Sequence, residues 1–308
     1  MNLKVIILYL ITTIAWGSAF YFSKIQIGEI PIEWSIIYRF MIASAILFII
    51  AVIKNKKILF NIYNHIYFFV FGLLLFSLHF FAVYKSTSYI LSGLTAISFS
   101  TIVIFNVFFS IIFFKHKVNL SLIFGSLLGV TGVIFIFLNE FNNISITKFT
   151  IIGVFLGIIA AIIASLGNVL SEYFHKSNGN IIIQSTAWGM IYGIIIMLFI
   201  TLFSNTGPPS IIFEFNYLGP LFYLGIFCTA IAFWSYISLL KSIGASRAGY
   251  AWIIAPLIAL LISSIYESFN WNIYAILGII FILMGNIFIL LNKNKINKNK
   301  EVIIKSIY

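Results

Sequence analysis

The amino-acid sequence predicts an all-α integral membrane protein of about ten transmembrane helices, arranged as two inverted five-helix repeats. Hydrophobic residues fill 62% of the 308 positions, and only 8% carry a formal charge. Soluble domains carry about 25% charged residues, and a soluble fold of this size cannot hide so much apolar surface from water. Lipid is therefore the expected solvent.

Apolar runs recur along the chain at about 20 residues, the length that a helix needs to cross roughly 30 Å of hydrocarbon. Short polar segments, such as residues 54–57 and 205–209, separate these runs. The first run is longer than the apolar core of a signal peptide, so it is predicted to remain as the first helix. The predicted spans are residues 3–22, 34–53, 65–84, 89–113, 120–138, 151–172, 181–203, 217–237, 246–266 and 273–291.

The distribution of Lys and Arg predicts that both termini are cytoplasmic. If the N-terminus is inside, 14 of the 18 basic residues fall on the cytoplasmic side and 4 on the outer side, as the positive-inside rule requires. The net charge of +11 is explained in the same way, and no nucleic-acid partner is expected. The Ile- and Asn-rich composition is typical of an AT-rich genome, so we expect a multi-pass protein of a bacterial plasma (inner) membrane.

The two halves of the chain share small and aromatic positions at a nearly constant offset. The pairs separated by 153 residues are Gly72 with Gly225, Phe80 with Phe233, Gly125 with Gly278, and Gly132 with Gly285. Each half holds five spans, an odd number, so the second copy is predicted to be inverted in the membrane. Many secondary transporters have this architecture, with the substrate site between the halves. The predicted units are residues 1–140, residues 150–292 and a basic cytoplasmic tail, residues 293–308.

Four short motifs occur in order along the chain. They are Ala-Trp-Gly-Ser-Ala-Phe at 15–20, Arg-Phe at 39–40, Ser-Leu-Gly-Asn-Val-Leu-Ser at 165–171, and Gly-Ala-Ser-Arg-Ala at 244–248 leading to Pro256. In this order they resemble the EamA branch of the drug/metabolite transporter superfamily, over nearly the whole chain. The resemblance implies a ten-helix fold, a cavity lined by helices 1, 3, 4, 6, 8 and 9, and transport of amino acids, nucleotide-related metabolites or S-adenosylmethionine. One departure is Ile104, which takes the place of a proline common in the fourth helix.

Polar side chains inside the spans are the first candidate substrate contacts, because each one costs insertion energy. Asn168 and Glu172 share one stripe of helix 6, and Ser98 and Asn106 share one stripe of helix 4. Each stripe is expected either to face a cavity or to bond a neighbouring helix. Glu172 is assigned to coupling or gating, with a solvated position at the cytoplasmic interface as the alternative. His79, in helix 3, is expected to contact substrate or carry a proton, or else to be a packing residue.

Three interior aromatic residues and one proline complete the predicted site. Trp16, Tyr236 and Trp252 are predicted to contact the solute by stacking or cation–π interaction, about 0.5–2 kcal/mol each, although most aromatic residues here must serve ordinary packing. Pro256 has no N–H, so it leaves the carbonyl of Trp252 without its helical partner. It is predicted to act as a gating hinge, with a purely structural kink as the alternative.

No enzymatic chemistry is predicted, and no metal or cofactor is expected. The sequence contains no Asp, its four His residues lack metal-ligand spacing, and there is no nucleotide-binding glycine loop. Arg39 is assigned to the outer interface, where it either extends to the surface or pairs with Glu267, and not to the substrate site.

The function predicted from these features is secondary transport of a small organic solute, an amino acid or related metabolite, by alternating access. Import or exchange of S-adenosylmethionine or a nucleotide-related metabolite on the same fold stays open, as do a lipid flippase and a non-transporting membrane assembly protein. The expected partners are the solute, the lipid bilayer, and either protons or a counter-solute that drives the cycle.

Overall fold

The computed structural model describes residues 3–114, 120–143, 148–178, 181–204, 206–209, 211–236, 238–239, 251–269 and 271–288. Within these ranges the regular structure is helical, and the only bridge between extended residues joins Ile27 to Ile30 in the turn after the first helix. The predicted tail, residues 293–308, lies outside the described residues.

The helices follow the predicted spans closely. They are α1 (Leu3–Gln26), α2 (Ile32–Ile53), α3 (Ile62–Tyr89), α4 (Ser92–Phe113), α5 (Leu120–Asn143), α6 (Lys148–Asn178), α7 (Ile182–Phe203), α8 (Phe215–Tyr236), α9 (Ala251–Tyr266) and α10 (Ile273–Phe288). In the described part of the chain, seven of them, α1–α4 and α6–α8, are long and apolar enough to cross a membrane. Helices α5, α9 and α10 contain shorter apolar segments. The prediction of an all-helical protein with multiple membrane spans is confirmed.

Helix α1 extends beyond its predicted end because its last turn is tied to α3. Gln26 is fully buried and accepts a hydrogen bond from the hydroxyl of Tyr84 at 2.9 Å. Lys24 donates to the carbonyl oxygens of Thr87 and Ile90, at 2.5 and 3.1 Å. Polar groups that satisfy one another in this way can stay in the interior, so the helix continues past the apolar run.

Helices α3 and α8 each contain a π-helical segment, at Leu74–Leu78 and Tyr223–Ile231. The two segments end at equivalent positions, because Leu78 and Ile231 are separated by the repeat offset of 153. The wider turn is visible at Thr229, whose hydroxyl donates at 2.8 Å to the carbonyl of Leu224, five residues earlier. Such segments are rare and often mark functional sites.

Helices α5 and α10 cross through pairs of glycines. A Cβ atom added to Gly132 would lie 2.5 Å from the carbonyl oxygen of Gly278, and one added to Gly278 would lie 2.6 Å from that of Gly132. Gly285 meets the carbonyl of Gly125 in the same way. The offset of 153 turns one of these contacts into the other, because Gly132 corresponds to Gly285 and Gly125 corresponds to Gly278. This exchange is expected when two copies of one unit pack about a pseudo-two-fold axis. Small residues allow this close approach in lipid.

A second pair of contacts is similar in the two halves, with a shift in register. Gly72 of α3 packs against α7 at the carbonyl of Gly189, and Gly225 of α8 packs against α2 near the carbonyl of Arg39, where an added Cβ would lie at 3.3 Å. Gly72 and Gly225 are separated by 153 residues, whereas Arg39 and Gly189 are separated by 150.

The first half of α2, from Ile32 to Phe40, is largely buried, whereas Met41, Ile49 and Val52 in its second half are exposed. Helix α2 packs along α7 and against the π-helical segment of α8, and it contributes Phe40, which is fully buried and meets the rings of Phe76 and Phe80 edge-on. The hydroxyls of Ser35 and Tyr217 join α2 to α8 at 3.1 Å. Side chains along much of α2 therefore face protein and not lipid.

Candidate functional site

A cavity of about 110 Å³ lies between the two halves. It is bordered by α1, α2, α3, α4, α6 and α8. Its aromatic wall consists of Trp16, Phe20, Phe80, Phe99, Phe233 and Tyr236, and its polar groups are Ser23, Arg39, His79, Asn168 and Cys228. A mainly apolar pocket with a few converging polar groups is typical of small-molecule sites. The family resemblance implied that α9 lines the cavity. Among the described side chains, α2 lines it through Arg39, and none comes from α9.

Four of the predicted contact residues line this one cavity: Trp16, His79, Asn168 and Tyr236. The rings of Trp16 and Tyr236 lie 4.9 Å apart between centroids, and Phe233 meets Trp16 edge-on at 5.9 Å. These rings form a continuous aromatic wall between α1 and α8. The structure thus brings together side chains that are 220 positions apart in the sequence.

Ser98 and Asn106, the polar stripe predicted on helix 4, are not among the residues that line the cavity. Asn106 accepts a hydrogen bond from the side-chain amide of Asn168 at 3.3 Å, so it orients a lining residue instead of lining the cavity itself. The hydroxyl of Ser98 donates to the carbonyl of Leu94 at 2.9 Å, and Ser98 packs under Gly157 of α6. At Ser98 the geometry is that of helix packing.

Three predicted residues lie at the edge of what the structure describes. Glu172 is in α6, one turn after Asn168, and Trp252 is in α9, but their side chains lie outside the described residues. Pro256 is buried within α9. Beside it, Gly17 of α1 sits so close that an added Cβ would lie 2.8 Å from the carbonyl of Ala255. Helices α1 and α9 therefore make their closest contact next to the proline.

His79 presents a defined face to the cavity. Its Nδ1 lies 3.0 Å from the carbonyl oxygen of Leu75. A carbonyl oxygen only accepts, so Nδ1 carries the proton, and Nε2 of a neutral ring remains an acceptor. The imidazole packs against Phe80 and Phe99, at 4.3 and 5.4 Å between centroids. This orientation suits a hydrogen bond to a solute donor.

Arg39 was predicted to reach the outer interface or to pair with Glu267, and both predictions are wrong. The residue is 3% exposed and lines the cavity. Its Nε donates to the hydroxyl of Thr229 at 2.9 Å, and its guanidinium carbon lies 4.7 Å over the ring of Phe80. The physical reason is that Arg39 lies in the buried first half of α2, which packs against α7 and α8. A charge well inside an apolar span was the sequence signal for a site residue.

Glu267 instead holds the start of α4. Its carboxylate accepts the backbone N–H of Ser92 at 3.1 and 3.2 Å and also accepts the Ser92 hydroxyl. A carboxylate is favourable at a helix N-terminus, where backbone N–H groups lack partners. Together with Lys24 on the carboxyl end of α3, this contact ties α1, α3, α4 and α9 at one end of the bundle.

The comparisons with known proteins decide the family. The model of the EamA-like transporter family matches residues 3–138 and again residues 151–291. The chain belongs to the EamA-like transporter family. Its transporter assignment and its two-unit architecture follow from this match, and the predicted resemblance is confirmed.

Individual relatives of this EamA-like chain are distant but cover nearly its full length. The uncharacterized transporter YoaV of Bacillus subtilis is 27% identical, with 91% of this chain and 94% of the relative covered. Protein PagO of Salmonella typhimurium is 24% identical, with 91% and 90% covered. One solved crystal structure aligns with a TM-score of 0.69 at 13% identity, covering 96% of this chain and 99% of that one. At this identity it shows the fold alone.

Among the described residues of this family member, no group of three or more His, Cys, Asp or Glu side chains is placed to hold a metal ion. The described side chains that line the cavity present aromatic faces, a guanidinium, an imidazole, an amide, a hydroxyl and a thiol.

Proposed function

We propose that this chain is a secondary transporter that moves a small organic solute, an amino acid or a related metabolite, across a bacterial plasma membrane by alternating access. The observation that carries the proposal is the cavity of aromatic and polar side chains between two units whose glycine contacts exchange under the repeat. A site between two such units can be exposed to either side when one unit rocks against the other.

The membrane arrangement that goes with this proposal has ten spans, which correspond to α1–α10. The units, residues 1–140 and 150–292, are then inverted relative to each other, and both termini are cytoplasmic. The reciprocal glycine contacts of α5 with α10 support the two-fold relation. The excess of basic residues in alternate loops supports the orientation.

Coupling and gating are assigned to three residues. Glu172 and His79 are the candidate proton carriers, and exchange for a counter-solute is the alternative source of energy. Pro256 serves as the hinge, because α9 has one backbone hydrogen bond fewer there and lies directly against Gly17 of α1. A bend at this point would move α9 relative to the cavity helices.

The proposal is tested by counterflow in proteoliposomes. Proteoliposomes that contain the purified full-length protein are preloaded with an unlabelled amino-acid mixture or with S-adenosylmethionine. They should accumulate the matching labelled solute faster than protein-free liposomes. Absence of solute-dependent flux across the whole panel would contradict transport. Stimulated movement of labelled phospholipid between leaflets, without competition from the soluble panel, would favour a flippase instead.

Trp16→Ala is expected to lower the initial counterflow rate by roughly tenfold, which corresponds to about 1.4 kcal/mol of lost aromatic contact. The ring forms part of the cavity wall beside Tyr236. Trp271→Ala is the matched control, because Trp271 is 44% exposed and does not line the cavity. Equal counterflow rates for Trp16→Ala and Trp271→Ala would show that Trp16 does not contact the substrate.

A further inference from the structure

Arg39 is a cation held inside the cavity, and no described carboxylate lies beside it. Its contacts in the described part of the chain are the hydrogen bond to Thr229 and the ring of Phe80. No Glu is among the described side chains that line the cavity, and the carboxylate of Glu267, predicted to be its partner, is engaged by Ser92. A guanidinium stays protonated in proteins, so the charge is present whenever the cavity forms.

The two contacts of Arg39 stabilise the guanidinium but bring no negative charge to it. The Thr229 hydroxyl is a neutral acceptor, and the Phe80 ring attracts a cation through its π face. An ionisable residue inside a membrane span usually serves function and has a partner of opposite charge. Among the described side chains that partner is absent, so the place is suited to a charged group on the solute.

Arg39 uses Nε to reach Thr229, and Thr229 is itself held by its bond to the carbonyl of Leu224 in the π-helical segment. Arg39 also lines the cavity, and among the described residues no hydrogen bond from its Nη groups is seen. We infer that these N–H donors serve the cavity. Two parallel N–H groups match the two oxygens of a carboxylate, and the fixed Nε prevents the fork from rotating.

The repeat relation gives this cation no charged counterpart. The residue that makes the corresponding helix contact in the second unit is Gly189, and the residue 153 positions after Arg39 is Tyr192. The charge therefore occurs in one unit only. A feature that breaks the symmetry at the cavity wall fits recognition of an asymmetric ligand.

We propose that this cavity binds a solute through a monoanionic carboxylate, which the Nη groups of Arg39 hold, while the apolar part of the solute lies among the aromatic rings of α1, α4 and α8. The proposal rests on the cavity being the transport site. One guanidinium balances one negative charge, so a dianionic phosphate ester would leave a net charge in the membrane interior. A purely cationic solute would meet repulsion.

The native Cys228 provides the reporter for the test. It is the one cysteine in the sequence, and it lines the same cavity. Its modification by methyl methanethiosulfonate, followed by intact-mass spectrometry on the full-length protein in detergent, should slow when a solute occupies the cavity. The probes are phenylacetate, phenylacetamide, phenethylamine and phenyl phosphate, which share one ring and differ in charge.

Phenylacetate should protect Cys228 at concentrations at least about tenfold lower than the other three probes, because charge-assisted bonds exceed neutral ones. Arg39→Gln should abolish this preference, and Arg39→Lys should keep part of it. Equal protection by phenylacetamide, or stronger protection by phenyl phosphate, would overturn the proposal. So would an unchanged preference in Arg39→Gln.

The control variant is Lys85→Gln, since Lys85 also lies over an aromatic ring, that of Phe81 at 5.5 Å, but does not line the cavity. It should keep the wild-type preference. If Arg39→Gln fails to fold, the probe series on the unmodified protein still decides the question. If phenylacetate protects Cys228 but no solute flux is measured, the proposed transport function is overturned and the carboxylate site is not. If an amino acid and its amide are transported at equal rates, the carboxylate site is overturned and the transport function is not.

Discussion

Gly278→Ala is expected to destabilise the folded protein by about 3 kcal/mol, at the upper end of the cost of overpacking a core. The new methyl group would lie 2.5 Å from the side chain of Ile136 and 2.6 Å from the carbonyl oxygen of Gly132. The second neighbour is backbone, which cannot rotate away, so α10 must separate from α5. The measurement is the midpoint of thermal unfolding in detergent, followed by the intrinsic fluorescence of tryptophans such as Trp16 and Trp34, each 8% exposed in the folded state.

Gly219→Ala is the matched control. A Cβ there would meet only the ring of Phe215, at 3.6 Å, which is ordinary contact. Its unfolding midpoint should stay close to wild type. The double variant Gly132→Ala with Gly278→Ala should lose less than the sum of the two single losses, because both relieve the same crossing by the same separation. Additive losses, or a Gly278→Ala midpoint equal to that of Gly219→Ala, would contradict a tight crossing.

On the proposed alternating-access mechanism, Glu267→Gln is expected to open the end of the bundle at which this carboxylate bonds the start of α4. The amide keeps one acceptor oxygen and replaces the other with a donor, so one of the bonds from Ser92 is lost together with the charge that favours the start of α4. Hydrogen bonds to charged groups contribute about 1.5–3 kcal/mol. An equilibrium between two access states would then shift by at least about tenfold.

The opening is measured by modification of Cys228 with a membrane-impermeant thiol reagent, added to one face of oriented vesicles at a time. Glu267→Gln should raise the rate of modification from one face and lower it from the other. Glu214→Gln serves as the control, since Glu214 is exposed and makes no capping bond at the start of α8. Rates that stay equal to wild type from both faces would show that the Glu267 contact is not part of a closure.

The cavity could be predicted in part from the sequence. Polar and aromatic residues within apolar spans are few, and each needs a compensating environment, which is why sequence reasoning selects Trp16, His79, Asn168 and Tyr236. The same reasoning selects Ser98, which the structure places in a helix contact under Gly157. A stripe on one helix does not reveal whether a cavity or a neighbouring helix faces it.

Arg39 shows the opposite failure. A long cationic side chain near the end of a span can reach the surface on an outer helix, and sequence reasoning favours that interpretation. The part of α2 that carries Arg39 packs against α7 and α8, and the buried guanidinium is bonded to Thr229 beside the cavity. The sequence shows that Arg39 lies several residues inside an apolar span, but it does not show in which direction the side chain points.

The sequence by itself determined the solvent, the helices and the family, because composition, span length and ordered motifs are local or summed properties of the chain. The tertiary structure alone decided which face of each helix is buried. In lipid, both the bilayer and the neighbouring helices are apolar, so hydrophobic periodicity no longer marks the inner face. Only the packing of α2 between α7 and α8 therefore brings Arg39 to the aromatic wall.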